Sequence, residues 1–165
     1  MEVVLDYLKK NRPDAAIDAM CAGPDRLADE YGIPAIPLYW QPKHQSDSRR
    51  LIALLGKVIA KVVDAGRIAA WVRRHDVVII PGMGVLEATL PLRPWHTPYA
   101  MFSLCASGRL FGTKVALVSV GANTINRRVT RWLLNWAARL AYYRSYRDDL
   151  SRDAMTHRWR LCSTI

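Results

Sequence analysis

The sequence predicts an α/β protein with a doubly wound, mostly parallel sheet, and three observations carry that expectation. Short β-branched runs alternate with longer segments of helical apolar spacing, the pattern of successive βα units. Residues 76–80, Asp-Val-Val-Ile-Ile, place four Val/Ile residues in a row and read as a strand buried on both faces. That strand breaks at Pro81-Gly82-Met83-Gly84, and a second apolar strand, Lys114 to Val120, breaks at Gly121. Ligands of open α/β sheets bind outside the carboxyl ends of the strands, so these two glycine-bearing loops are where chemistry is expected.

Taken in order, Glu2 to Lys10 has helical spacing and stops before Asn11-Arg12-Pro13, because proline restricts the residue before it. A short strand follows from Ala15 to Met20. Cys21 to Asp25 forms a turn into a helix over Arg26 to Tyr31, with Gly32 as its stop. Ile33 to Tyr39 reads as a second strand, confined to a sheet edge by Pro34 and Pro37. Asp47 or Ser48 is positioned to cap a helix starting near Arg49. In it Leu51, Leu54, Leu55, Val58, Ile59 and Val62 keep the spacing of a buried stripe, while Arg50, Lys57, Lys61 and Asp64 face elsewhere.

After the strand at 76–80 comes a loop rich in proline and aromatics, then a helix over Tyr99 to Leu110 closed by Gly112. The Lys114–Val120 strand leads to Gly121-Ala122-Asn123-Thr124, where Asn123 or Thr124 can cap the next helix. That helix is expected to bury Val129, Trp132, Leu133, Trp136, Ala137 and Leu140, with Arg128, Arg131, Asn135 and Arg139 mainly opposite. Tyr142 to Tyr146 is a short strand, and Arg147-Asp148-Asp149-Leu150-Ser151 starts a further helix.

With 165 residues, 51% of them apolar, the chain has enough material for a globular core; a single domain over 1–155 with a tail at 156–165 is expected. Lys and Arg exceed Asp and Glu to give +10, which favours anionic partners without choosing among phosphorylated small molecules, anionic lipid and nucleic acid. Cys21, Cys105 and Cys162 are odd in number and widely spaced, which argues against a disulfide framework or a zinc site and fits a reducing cytoplasm. No secretory signal is read at the N-terminus, and charges interrupt the longest apolar stretch.

The loop from Gly82 to His96 contains Glu87, Arg93 and His96, which is a hydroxyl acceptor, a cation and a proton carrier in one segment. The Gly121–Thr124 turn precedes a helix N-terminus that can hold an anion. Arg147-Asp148 can orient a substrate or make the ion pair that starts a helix. The candidate substrate-binding set is therefore Gly82, Gly84, Glu87, Arg93, His96, Gly121, Asn123, Arg147 and Asp148. No nucleophile elbow, P-loop or metal-ligand spacing is present, so no catalytic residue, metal or resident cofactor is assigned.

Three stretches in this order resemble the polysaccharide pyruvyl transferase family: residues 77–84, Val-Val-Ile-Ile-Pro-Gly-Met-Gly; Gly112-Thr113-Lys114-Val115 leading to Val120-Gly121-Ala122; and Tyr146-Arg147-Asp148-Asp149-Leu150-Ser151. Asn11 to Ile17 and Tyr31-Gly32-Ile33 resemble that family's second βα unit. The resemblance implies a Rossmann-like half of a glycosyltransferase-B-like fold. It further implies transfer of a pyruvyl group from phosphoenolpyruvate, the donor substrate, to a sugar of a cell-surface glycan or glycolipid as a cyclic ketal. Departures are Met83, where a second adjacent glycine is common, and Ser119-Val120-Gly121-Ala122 in place of a Gln-containing turn. The similarity begins after the family's opening glycine-rich turn and stops just past Arg-Asp-x-x-Ser. The expectation is thus a shortened member, inactive alone, served by a complementing C-terminal domain or a homo-oligomer. Peripheral contact with a membrane is also considered. The rival readings are a basic module for nucleic acid, which is disfavoured, or for anionic membrane, and half of a sugar-nucleotide glycosyltransferase.

Overall fold

The computed structural model describes residues 2–40, 50–82, 94–121, 127–149 and 151–152. Among the described residues the fold is mixed α/β, with five helices and parallel strands in two sheets, consistent with a Rossmann-like fold. The chain divides into two compact units, Met1–Asp64 and Ala65–Ile165.

The first unit contains α1 (Glu2–Asn11), β1 (Ala19–Cys21), α2 (Pro24–Tyr31), β2 (Ala35–Pro37) and the start of α3 (Arg50–Val72). Strands β1 and β2 pair in parallel, Ala19 opposite Ala35, with α2 as the crossover. Pro24 supplies the preset φ at the start of α2, and Gly32 ends the helix in the left-handed region at φ 65°, its N–H donating to the Ala28 carbonyl at 2.9 Å. Both strands are shorter than the sequence predicts. The Pro34 carbonyl still accepts the Ala19 N–H at 2.9 Å, but three residues of each strand make the ladder. Pro37 fits β2 because its missing donor lies in a strand that pairs only with β1 among the described residues.

Helix α3 departs from its expected orientation. Val58, Ile59 and Val62 are exposed, and the buried line runs through Asp64, Ile68 and Val72, four residues apart. Leu51, Leu54 and Leu55 and the caps at Asp47 and Ser48 lie outside the residues whose side chains are described. Asp64, read as solvent-facing, is 2% exposed. It can be buried because its carboxylate accepts the Trp40 backbone N–H at 2.7 Å and the Lys61 ammonium at 2.8 Å. Hydropathy alone does not register such a pair.

The second unit contains β3 (Val77–Pro81), α4 (Thr97–Phe111), β4 (Lys114–Val120), α5 (Arg128–Leu140) and β5 (Tyr143–Tyr146). The three strands form a parallel sheet in chain order, with β4 central. Sequential parallel strands joined by right-handed crossovers place both connecting helices on one face, and α4 packs along α5. Val115 and Leu117 of β4 fill that layer together with Met101, Leu104 and Cys105 of α4 and Leu133, Leu134 and Ala137 of α5, all buried. The Thr113 hydroxyl donates to the Val72 carbonyl at 3.0 Å and ties the entry of β4 to the end of α3.

Two burial expectations are corrected here. Strand β3 is not buried on both faces: Val78 is buried, Ile79 and Ile80 are intermediate and Val77 is exposed, because β3 forms an edge of its sheet among the described residues. On α5 the buried face is shifted to Thr130, Leu133, Leu134, Ala137 and Ala138, leaving Val129, Trp132 and Trp136 exposed. The helix also starts at Arg128 with Arg127 as its N-cap and no side-chain cap bond, so neither Asn123 nor Thr124 is the cap.

Gly108 is where α4 comes closest to β4. A Cβ there would overlap Val115 Cγ2 and sit 2.9 Å from the Thr113 carbonyl oxygen. Gly108→Ala sets a helix-propensity gain of about 1 kcal/mol against an overpacking cost of about 1–3 kcal/mol. Because backbone must move, overpacking dominates: urea denaturation of Gly108→Ala is expected to give a lower midpoint than the unsubstituted chain. An equal or higher midpoint would show that the layers have room to separate.

Candidate functional site

Parallel pairing of β3, β4 and β5 brings their carboxyl ends to one rim. One residue beyond β3, the Gly82 N–H donates to the Val118 carbonyl at 2.6 Å. The Gly82 backbone presses against Ser119 and Val120 so closely that a Cβ would overlap the Ser119 carbonyl and lie 2.8 Å from the Val120 nitrogen. Its φ is not positive, so glycine is required by space and not by dihedral preference. Gly121, buried, follows Val120 directly, and the Val120 carbonyl accepts the Arg147 N–H at 3.2 Å. Gly82, Gly121, Arg147 and Asp148 are therefore neighbours on one edge, although they span 66 positions of sequence.

The rim is bent by a β-bulge that the sequence does not announce. Leu117 pairs with Arg144 and Val120 with Tyr146, so Val118 and Ser119 together face the single residue Ser145. Ser119 takes φ 53°, the one positive φ outside glycine among the described residues, and its N–H donates to the Ser145 hydroxyl at 2.8 Å. A serine held in the left-handed region costs energy and persists where its surroundings fix it; here the Ser145 hydroxyl and the apposed Gly82 do so.

Beyond β5, Asp148 organises the chain. Its Oδ1 accepts the Ser151 backbone N–H at 2.7 Å and its Oδ2 pairs with Arg147 Nε at 3.3 Å. The Ser151 hydroxyl and N–H, with a smaller contribution from Arg147, hold the Asp148 carboxyl below the usual carboxylate range. One turn later Arg152 pairs with Asp149 at 3.1 Å. An open depression of about 420 Å³ is lined by Ser145, Tyr146, Arg147, Asp148, Asp149 and Arg152 together with Arg144. The Arg144 guanidinium donates to the Ala138 carbonyl at 2.6 Å and so closes the end of α5. Burial raises the Tyr146 phenol above its ordinary value against the opposing pull of Arg144.

Of the other sequence candidates, His96 is exposed and is the N-cap residue of α4, its carbonyl accepting the Ala100 N–H at 3.0 Å. Gly84, Glu87, Arg93 and Asn123 lie outside the described residues. Sequence reasoning missed Ser119, Ser145 and Arg152. Alternation in Val-Ser-Val gave no hint of a bulge, and Arg152 follows the motif by one position. Among the described residues no cluster of three His, Cys, Asp or Glu side chains could hold a metal. Cys105 is buried with its thiol pushed up to about 12 by burial, which keeps it unreactive. The arrangement can offer the guanidinium groups of Arg147 and Arg152 to an anion at the carboxyl rim.

Two outcomes are expected of this rim. Gly82→Ala should destabilise the chain by about 1–3 kcal/mol in urea denaturation, because the added methyl meets backbone and not a flexible side chain. The Asp148 carboxyl lies below its unfolded value of about 3.9, so its contribution is present above that pH and is lost as pH falls through the folded value. The Ser151 amide resonance should accordingly keep its hydrogen-bonded shift at neutral pH and move only under acid, and Asp148→Asn should abolish that titration.

A family model described as polysaccharide pyruvyl transferase matches residues 1–161. No curated protein matches the chain, and no solved structure does. The family match runs through both units and takes in the two glycine bends and the Arg147–Asp148 turn, and on that basis the chain belongs to the polysaccharide pyruvyl transferase family.

Proposed function

We propose that this protein takes part in moving a pyruvyl group from phosphoenolpyruvate to two hydroxyls of a sugar in a glycan, forming a cyclic ketal and releasing phosphate. Family membership over residues 1–161 carries the reading. The convergence of Gly82, Gly121 and Arg147 on one rim supports it. In the reaction an acid protonates the methylene carbon of the enol ester. One sugar hydroxyl adds to the neighbouring carbon, and the second displaces the phosphoryl oxygen there. One of the two hydroxyl protons replaces the acid's and the other leaves with the products, so the methylene becomes a methyl without any redox change.

The donor carries a carboxylate and a phosphate. Arg147 and Arg152 line an open depression at the rim, and the chain's +10 charge raises the local concentration of such an anion. Gly82 and Gly121 each follow a strand at this same carboxyl rim, where ligands of parallel sheets bind. Burial favours neutral Tyr146 at this place, so it can donate a hydrogen bond to a donor oxygen or a sugar hydroxyl.

Phosphate release from phosphoenolpyruvate in the presence of candidate glycans tests the reaction. Thermal stabilisation by phosphoenolpyruvate tests the donor, with a ligand at 100 times its Kd expected to add about 2.7 kcal/mol. Arg147→Ala and Arg152→Ala should each weaken phosphoenolpyruvate binding about tenfold, the loss of one charge-assisted contact, which at the same ligand concentration roughly halves that stabilisation. Stabilisation by a nucleotide sugar with none by phosphoenolpyruvate would replace this reading with a sugar-nucleotide transferase.

A further inference from the structure

The helical layer of the second unit presents a surface that sugar chemistry at the carboxyl rim leaves unused. On α5 the core takes Leu133, Leu134, Ala137 and Ala138, which leaves Val129, Trp132 and Trp136 48%, 53% and 39% exposed. Their spacing places them on one side of the helix. Phe102 of α4 extends the row, its ring 5.7 Å from that of Trp132, and Trp132 lies 6.2 Å from Trp136. Arg127 and Arg128 are exposed at one end, and at the other the Arg139 guanidinium sits 5.6 Å over the Trp136 ring. Helices α4 and α5 contain Arg109, Arg128, Arg131 and Arg139 and not a single Asp or Glu.

We propose that this face docks on an anionic lipid surface, with Val129, Trp132 and Trp136 at the boundary between headgroups and acyl chains and the flanking arginines against lipid phosphates. Charge decides the occupant. Two copies meeting through this face would set arginine against arginine with no carboxylate on either helix, which disfavours a symmetric dimer. A nucleic acid would stack on open rings, whereas these rings already meet one another and Arg139. A surface both apolar and negative remains, and a helix with indoles flanked by arginine suits it: tryptophan prefers the interface, and arginine reaches phosphates while its stem stays apolar. At 13 residues α5 is about 20 Å long, a length for lying on a bilayer. No described helix is long and apolar enough to cross one.

The test is flotation of the full chain with vesicles of zwitterionic lipid alone and of the same lipid mixed with an anionic one. The chain should float with the anionic vesicles only, and added salt should weaken the association. Vesicles with brominated acyl chains should quench tryptophan fluorescence of the unsubstituted protein, a reading that needs no variant. W132S/W136S, at positions already exposed, should retain the circular dichroism of the parent but lose flotation and most of the quenching. R128Q and R139Q should each weaken binding about fivefold. The proposal is overturned by absence of flotation, by undiminished flotation of W132S/W136S, or by binding without bromine quenching, which would mean attraction of charge alone. Preferential binding of single-stranded nucleic acid, or self-association that shields the tryptophans from an aqueous quencher, would overturn it as well.

Discussion

Everything assembled in the second unit follows from β4 being paired in parallel on both sides. Its Val115 and Leu117 are buried under the helical layer, and its backbone bonds to β3 on one edge and β5 on the other. Parallel pairing forbids short hairpins, so each connection must pass through a helix, and both helices end up stacked on the same side. The same pairing leaves three chain exits at one edge. The neighbourhood of Gly82, Gly121 and Arg147 is thus a consequence of topology before it is a consequence of any side chain.

Around that frame, close backbone approach sets residue identity. Gly82 abuts Ser119 and Val120, and Gly108 abuts Thr113 and Val115. At both places an ordinary side chain would have to displace main chain, one at the rim and the other beneath the helical layer. The bulge at Val118–Ser119 belongs to the same economy of space: an added residue in β4 bends the strand where β5 ends, and the Ser145 hydroxyl takes the amide that the ladder no longer satisfies. Electrostatics then acts on a site whose shape the backbone has already fixed. Asp148 uses its carboxylate to cap the following turn and to hold Arg147 at the depression.

Much of this was legible in the residues. The Lys114–Val120 strand has the bounds that its apolar run predicts, Gly32 and Gly112 close their helices in the left-handed region, and Gly82 and Gly121 each directly follow a strand. What failed was the choice of helix face. Helix α5 has two apolar stripes, and the core took the one with Ala137 and Ala138, whose small side chains let the helix approach its neighbours, over the one with two bulky indoles. In α3 the buried line includes Asp64, a charge that periodicity assigns to solvent until its partners at Trp40 and Lys61 are known.

The sequence by itself determined the alternation of strands and helices, the glycine punctuation, the strongly basic character and the motifs of the polysaccharide pyruvyl transferase family. These depend on local conformational preference and composition, which each segment carries with it. Tertiary structure alone decided the bulge at Ser119, the burial of Asp64 and the exposure of Trp132 and Trp136. Each of those depends on a partner distant in the chain, and the energy of a contact or of a vacant space cannot be read until both sides of it are in place.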